Sequence, residues 1–202
     1  NWGNAKTAPA YQWLADSIDV YEPDFTMQTL ALQAFEKDEQ GELKQFTLSL
    51  LRQADINIDE IKVDIVPLSN QAKELVFTDS AGNPVPQGQV KAVRIHAGHH
   101  VQSESGKEAQ FFLDLNEESL GTKQLFWFSP ILKEVFGKGK TMVIDELDRS
   151  LHPFLVQFLV ELFHTPEINQ TNAQLIFTTH DTTLLSLDTF RRDQIYFVEK
   201  DP

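Results

Sequence analysis

Two carboxylates, Asp145 and Glu146, stand side by side directly after the apolar run Thr141, Met142, Val143, Ile144 in the stretch TMVIDELDRSLHP. A buried strand of a parallel sheet delivers the polar residues at its C-terminal end into the crevice where open α/β sheets bind ligands. There Asp145 can hold Mg²⁺, directly or through water, while Glu146 polarises a water that attacks a γ-phosphate. The plainer alternative is an acidic surface turn after a strand, because two acids behind an apolar run are common. A second apolar run, AQLIFTT over 173–179, ends at His180 and Asp181. His180 can hydrogen-bond a γ-phosphate oxygen or the attacking water, or it is a satisfied histidine at a strand end. A third group opens a long apolar helix. Ser119 is a good N-cap, Gly121 lets a ligand approach the backbone, and Thr122 and Lys123 add a hydroxyl and a cation at the helix's positive end. Such a terminus takes phosphate readily, although a serine there is also an ordinary helix cap.

The elements between these residues decide whether they meet. Residues 153–163, PFLVQFLVELF, are apolar on most faces and open on a proline placed where a helix start tolerates it. They read as a buried crossover helix joining parallel strands 141–144 and 173–179. Such β-α-β connections are right-handed, and adjacent strands lie about 4.8 Å apart. Neighbouring strands would therefore bring Glu146 and His180 out on one edge of the sheet. The segment Gly137 to Thr141, GKGKT, resembles the end of a phosphate-binding loop but has Glu134 where the motif requires glycine. It also follows a helix and opens a strand, the reverse of a true phosphate loop, so it reads as a helix stop with a tight turn. No other stretch matches the motif. A phosphate loop, if this chain handles ATP, must lie elsewhere.

Upstream, apolar residues recur at three- and four-residue intervals over Pro9 to Val20, Phe25 to Phe35 and Leu43 to Ala54, which predicts three helices. The charged stretch EKDEQGELK between the last two reads as a solvated turn. From Ile61 the period shortens. IKVDIVPL, LVFTD, VKAVRIH and QFFLDL read as strands, with SAGNPVPQG as an exposed loop between antiparallel partners. His96, His99 and His100 are expected to be solvent-exposed loop histidines, since AGHHVQSESGKE carries glycine and serine and shows no carboxylate at obvious metal-ligand spacing. Pro130 interrupts the long helix around 125–136 and is expected to kink it. Thr182 to Leu187 reads as a short helix, and QIYFVEK as a last strand.

The 202 residues carry 41% hydrophobic side chains, as a globular chain does, and 17 − 30 = −13 net charges, which argues against a surface basic throughout. The absence of cysteine excludes disulfides and thiolate sites and fits a reducing, cytoplasmic setting. No apolar run approaches membrane-spanning length, and no membrane partner is expected. The first residue is Asn1 rather than methionine, so the chain is expected to be a piece of a longer protein.

At this point the residues resemble a family. VIDELDRSLHP is similar to the Walker B motif and D-loop of ABC-class ATPases, LIFTTHD to their switch-histidine strand, and ESLGTKQ to their signature, in matching order and spacing. The segments IDELD, SLHP, FTTHDT and RRDQI resemble in particular the AAA-type ATP-binding proteins of bacterial abortive-infection and anti-phage systems, related to the overcoming-lysogenization-defect and RecF/SMC groups. The likeness is close over Phe111 to Asp201 and loose over the first hundred residues.

The resemblance implies an α/β fold, the C-terminal half of a P-loop NTPase head of ABC type, with parallel core strands in 111–202 and a helical and antiparallel β insertion in 1–110. It implies Asp145 at Mg²⁺, Glu146 as catalytic base and His180 as switch histidine. Asp148, Arg149, Ser150 and Leu151 would form the D-loop. Ser119, Gly121 and Thr122, with Lys123 beside them, would form a signature reaching a partner's ATP. It further implies an ATP-sandwich homodimer or higher oligomer whose hydrolysis switches an effector protein, a nuclease, in defence against phage. Nucleic acid stays open as a partner. The chain departs from the pattern in having Leu120 before Gly121 instead of paired glycines, and in lacking the phosphate loop and Q-loop. A DNA-repair or DNA-end-binding head of RecF/SMC kind predicts a coiled coil or a basic groove; the sequence shows no heptads, and its acidic balance weighs against that reading although a local basic groove stays open. A dimerisation module without hydrolysis predicts an eroded Glu146 or His180, and both are present.

Overall fold

Along the chain run α1 (Ala8–Ser17), β1 (Ile18–Tyr21), α2 (Phe25–Glu36), α3 (Glu42–Gln53), β2 (Glu60–Pro67), β3 (Lys91–Gln102), β4 (Glu108–Asp114), α4 (Leu120–Lys138), β5 (Thr141–Ile144), α5 (Pro153–His164) and β6 (Gln174–Phe177). The computed structural model describes residues 7–21, 25–67, 91–102, 108–149 and 151–199. The architecture is α/β, with a parallel three-stranded sheet in the order β1-β5-β6 and an antiparallel three-stranded sheet in the order β2-β3-β4. The chain forms two compact units, Asn1–Phe25 with Ile131–Pro202, and Thr26–Pro130.

The first unit is built on the parallel sheet. β5 is central, pairing Thr141 with both Ile18 and Gln174, and Ile144 with both Tyr21 and Phe177. Met142 and Ile144 are each 1% exposed, and Val156, Leu159, Val160 and Leu162 of α5 supply further core. β1 is a departure from the sequence reading, which runs the first helix through Val20 and places all of 1–110 in the insertion. The helix stops at Ser17, and the next four residues join the core sheet. A lysine ties that strand down. Lys140 Nζ donates to Asp19 Oδ2 at 2.7 Å and to Glu134 Oε1 at 2.9 Å, and Tyr21 donates its hydroxyl to Asp19 Oδ2 at 3.3 Å. The hydrogen bonds to Asp19 and Glu134 push the Lys140 pKa up. Burial, then the Asp19 charge, pushes the Tyr21 phenol up to about 12.

GKGKT is the helix stop its order suggests. Gly139 has φ 65°, and Lys140 N–H returns to the Val135 carbonyl at 3.1 Å, the six-to-one bond of a Schellman cap. A Cβ on Gly139 would stand 2.8 Å from the Thr171 carbonyl oxygen. Further on, Thr182–Leu184 makes only a single 3-10 turn, shorter than the expected helix. Residues 195–199 form no strand, and Tyr196, Phe197 and Val198 are 84%, 84% and 95% exposed. Their composition suits a strand, but among the described residues they have no ladder to join.

The second unit packs α2 and α3 with the antiparallel sheet and the first half of α4. Phe35 stacks on Phe126 with centroids 4.5 Å apart, and Leu51, Ile58, Leu115 and Leu125 are almost wholly buried. Asp38, inside the charged stretch expected to be a solvated turn, accepts the N–H groups of Leu43 and Lys44, both at 3.0 Å. It thus satisfies orphan donors at the start of α3. Pro130 cannot donate to the Phe126 carbonyl one turn back. The Ser129 hydroxyl donates to that oxygen at 2.8 Å and meets the Thr47 hydroxyl at 2.7 Å, so α4 continues through the proline.

The three histidines are strand residues, not loop residues. β3 runs through Gln102, because residues 96–102 pair with 108–114 of β4. His99 Nε2 lies 2.6 Å from Glu118 Oε1, His100 Nδ1 2.8 Å from Asp59 Oδ2, and His96 Nε2 3.3 Å from Asp64 Oδ2. The carboxylates come from other parts of the chain, which sequence spacing does not display. LVFTD, SAGNPVPQG and Ser150 lie outside the described residues.

Candidate functional site

β5 and β6 run side by side in one direction and end level, so the residues after Ile144 and after Phe177 emerge at the same edge. The backbone keeps pairing for one more step on each side. Thr178 N–H donates to the Ile144 carbonyl at 3.1 Å, and Leu147 N–H donates to the Thr178 carbonyl at 3.0 Å. Leu147, 0% exposed, anchors the acidic turn in the core. Asp145 is exposed, and Glu146 and Asp148, which flank Leu147, are half-buried.

Glu146 adopts φ 51°, a left-handed conformation unusual for a residue with a side chain. Such conformations cost of order 1–3 kcal/mol, persist where surroundings hold them, and cluster at functional sites. Here the Thr178 hydroxyl accepts Glu146 N–H at 2.7 Å and donates to Asp145 Oδ1 at 2.5 Å. Arg149 Nη1 lies 3.3 Å from Glu146 Oε2, an exposed pair of small energetic weight.

His180 reaches the same carboxylate from the neighbouring strand. Its Nε2 lies 3.7 Å from Glu146 Oε1, and the ring is 83% exposed. Its backbone N–H lies 3.2 and 3.3 Å from the two oxygens of Asp148. Burial works to raise the Asp148 pKa, but the Thr179 hydroxyl, backbone N–H groups including that of His180, and the His180 charge outweigh it and hold the carboxyl below its usual range. Asp181 ends the loop. Its Oδ1 accepts the N–H and hydroxyl of Thr183 at 2.8 and 2.6 Å, while Oδ2 is buried with no partner among the described residues.

The structure therefore brings Asp145, Glu146, Asp148 and His180 to one sheet edge. Ser119, Gly121, Thr122 and Lys123 lie together in the other unit, around the first turn of α4. Ser119 Oγ accepts Thr122 N–H at 3.1 Å and contacts Thr122 Oγ1 at 2.7 Å, so it caps the helix. Thr122 is 4% exposed, and Lys123 Nζ donates to the Asn116 carbonyl at 3.2 Å.

Among the described residues no group of three or more histidines, aspartates and glutamates is arranged to hold a metal ion. The hard carboxylate oxygens of Asp145 fit Mg²⁺ nonetheless, because that ion is ordinarily held by one or two carboxylates plus waters and substrate phosphates. Thr178 and Thr179 are absent from the sequence reading of the site. Their one signal was two hydroxyls at the end of the strand next to an acidic turn.

A protein-family model described as "AAA domain, putative AbiEii toxin, Type IV TA system" matches residues 8–186, a span that holds both groups of candidate residues. No curated protein matches the chain.

Proposed function

The chain belongs to that AAA-domain family, an ATPase-like nucleotide-binding group in an abortive-infection context, and on this premise we propose that it hydrolyses ATP at the edge formed by β5 and β6. The observation that carries the reading is the convergence of Glu146 and His180, with Oε1 and Nε2 3.7 Å apart. A water oxygen about 2.8 Å from each fits between them, donating a hydrogen bond to the Glu146 carboxylate.

Glu146 takes a proton from water as its oxygen bonds the γ-phosphorus. The bond from that phosphorus to the bridging oxygen breaks, and ADP leaves with the electron pair. His180 donates to the γ-phosphate as its charge redistributes. Asp145 would hold Mg²⁺, which would supply positive charge to offset that developing on the transferring phosphate. The 202 residues contain no G-x-x-x-x-G-K-[ST] stretch, so the phosphates are cradled by protein outside them. Ser119, Gly121, Thr122 and Lys123 serve the ATP of a second copy in an ABC-type sandwich, and Asp148 lines the same interface. ATP then joins the copies, hydrolysis releases them, and the switch controls an effector, a nuclease acting against foreign DNA.

The test is steady-state hydrolysis by the full-length protein beside Glu146→Gln, with ATP-dependent association followed by light scattering. Removing a general base lowers turnover about 10²- to 10⁴-fold, and the variant is expected to accumulate as an ATP-bound dimer. Normal turnover by Glu146→Gln would overturn the assignment.

A further inference from the structure

We infer that Thr178 is a positioning residue of this site, one hydroxyl that holds the Asp145 carboxylate and the Glu146 backbone amide at once; the inference rests on the ATPase reading above. A threonine hydroxyl has one proton to give and lone pairs to receive. Here the proton goes to Asp145 Oδ1 at 2.5 Å, a distance of the short, charge-assisted kind, and a lone pair receives Glu146 N–H at 2.7 Å. Its own backbone is fixed on both sides, through the Ile144 carbonyl and the Leu147 N–H, so the hydroxyl is delivered from a rigid strand end rather than a free loop.

The two contacts do different work. The bond to Asp145 selects which way that carboxylate faces. The bond from Glu146 satisfies an amide in a residue held at φ 51°, and so supports the backbone turn that aims the Glu146 side chain. Without the hydroxyl, Asp145 swings and the turn at Glu146 loses its acceptor together. Thr178 touches no reacting atom in this scheme and acts only through its two neighbours.

Thr178→Val keeps the β-branched shape and deletes the hydroxyl, and Thr178→Ser keeps the hydroxyl. The full-length protein and both variants are compared in ATP turnover, in the Mg²⁺ dependence of binding a fluorescent non-hydrolysable ATP analogue, and in thermal unfolding. Thr178→Val is expected to lower kcat and to shift the Mg²⁺ midpoint of analogue binding upward, each by about 10- to 100-fold, as residues orienting a metal's ligands do. Thr178→Ser is expected within about threefold of the parent in both. If Thr178→Val does not fold, Thr178→Ala removes the same hydroxyl without the extra methyl and is expected to behave likewise. A hydroxyl-free variant that folds and matches the parent in kcat and Mg²⁺ midpoint overturns the inference while leaving the ATPase reading intact. A parent that binds no nucleotide, or a fully active Glu146→Gln, overturns that reading instead, and this inference falls with it.

Discussion

The carboxylate of Asp148 holds the backbone of His180, with both oxygens 3.2–3.3 Å from its N–H, so the turn after β5 grips the loop after β6 directly. The ring of His180 is itself largely in solvent, and its place beside Glu146 depends on that grip.

Asp148→Asn is expected to loosen the loop and lower ATP turnover by about tenfold, the lower end for residues that orient others. The same variant carries a pH signature. The Asp148 carboxyl is held below its ordinary range in the folded state, so its stabilisation is present above the unfolded value near about 3.9 and is lost as pH falls through the folded value. Melting temperatures of Asp148→Asn followed from pH 7 down to 3 should fall less steeply than those of the parent.

Glu146 sits in the left-handed region at φ 51°. Glycine occupies that region freely, while a residue with a Cβ is penalised by about 1–2 kcal/mol. Glu146→Gly should therefore unfold about 1 kcal/mol later than Glu146→Ala in a denaturant titration, with both inactive. Equal stability of the two would mean the turn relaxes once the carboxylate is gone.

Lys140 bridges Asp19 and Glu134 from a side chain only 14% exposed. Replacing it with methionine leaves two acids facing each other and removes two charge-assisted bonds, each of about 1.5–3 kcal/mol with charged partners before discounting for the exposure of Glu134. A loss of roughly 2–3 kcal/mol in chemical denaturation is expected. The raised lysine pKa contributes stability that is whole below the unfolded value near about 10.4 and is lost as pH rises through the folded one. Lys140→Met should accordingly flatten the alkaline limb of the stability curve.

Gly139→Ala meets both a positive φ of 65° and the Thr171 carbonyl at 2.8 Å. The backbone alone costs about 1–2 kcal/mol, and the contact adds to it. The melting temperature should drop by several degrees, whereas Gly137→Ala, whose added Cβ meets nothing within 4 Å, should not lower it.

What sequence reading reached, and what it missed, divides along local and distant causes. The strands Thr141–Ile144 and Gln174–Phe177, the helix Pro153–His164 and the meeting of Glu146 with His180 were legible, because apolar runs ending in polar residues carry their own boundaries. Ile18–Tyr21 was not, since four residues cannot distinguish helix from strand, and that strand exists only by pairing with residues more than a hundred positions later. The histidine–carboxylate pairs of β3 failed for the same reason. Asp59 and Glu118 reach them from elsewhere in the chain. Tyr196 to Val198 show the converse, strand-forming residues with nothing to pair with among the described residues. The two threonines after Phe177 were overlooked because hydroxyls at a strand end are common, and only the neighbouring turn gives these a task.

The pairing of Ile18 with Thr141 also dictates an order of assembly. A ribosome delivers Thr26–Pro130 in full before the strand that receives β1 exists. The antiparallel unit thus has its whole sequence available while the opening strand still waits, and closing the parallel sheet requires a long loop whose entropy is only repaid at the end. Until Thr141 has been made, the segment carrying the exposed Trp13 and Val20 lacks the strand that pairs with Ile18–Tyr21, and in that interval it needs protection from neighbouring chains.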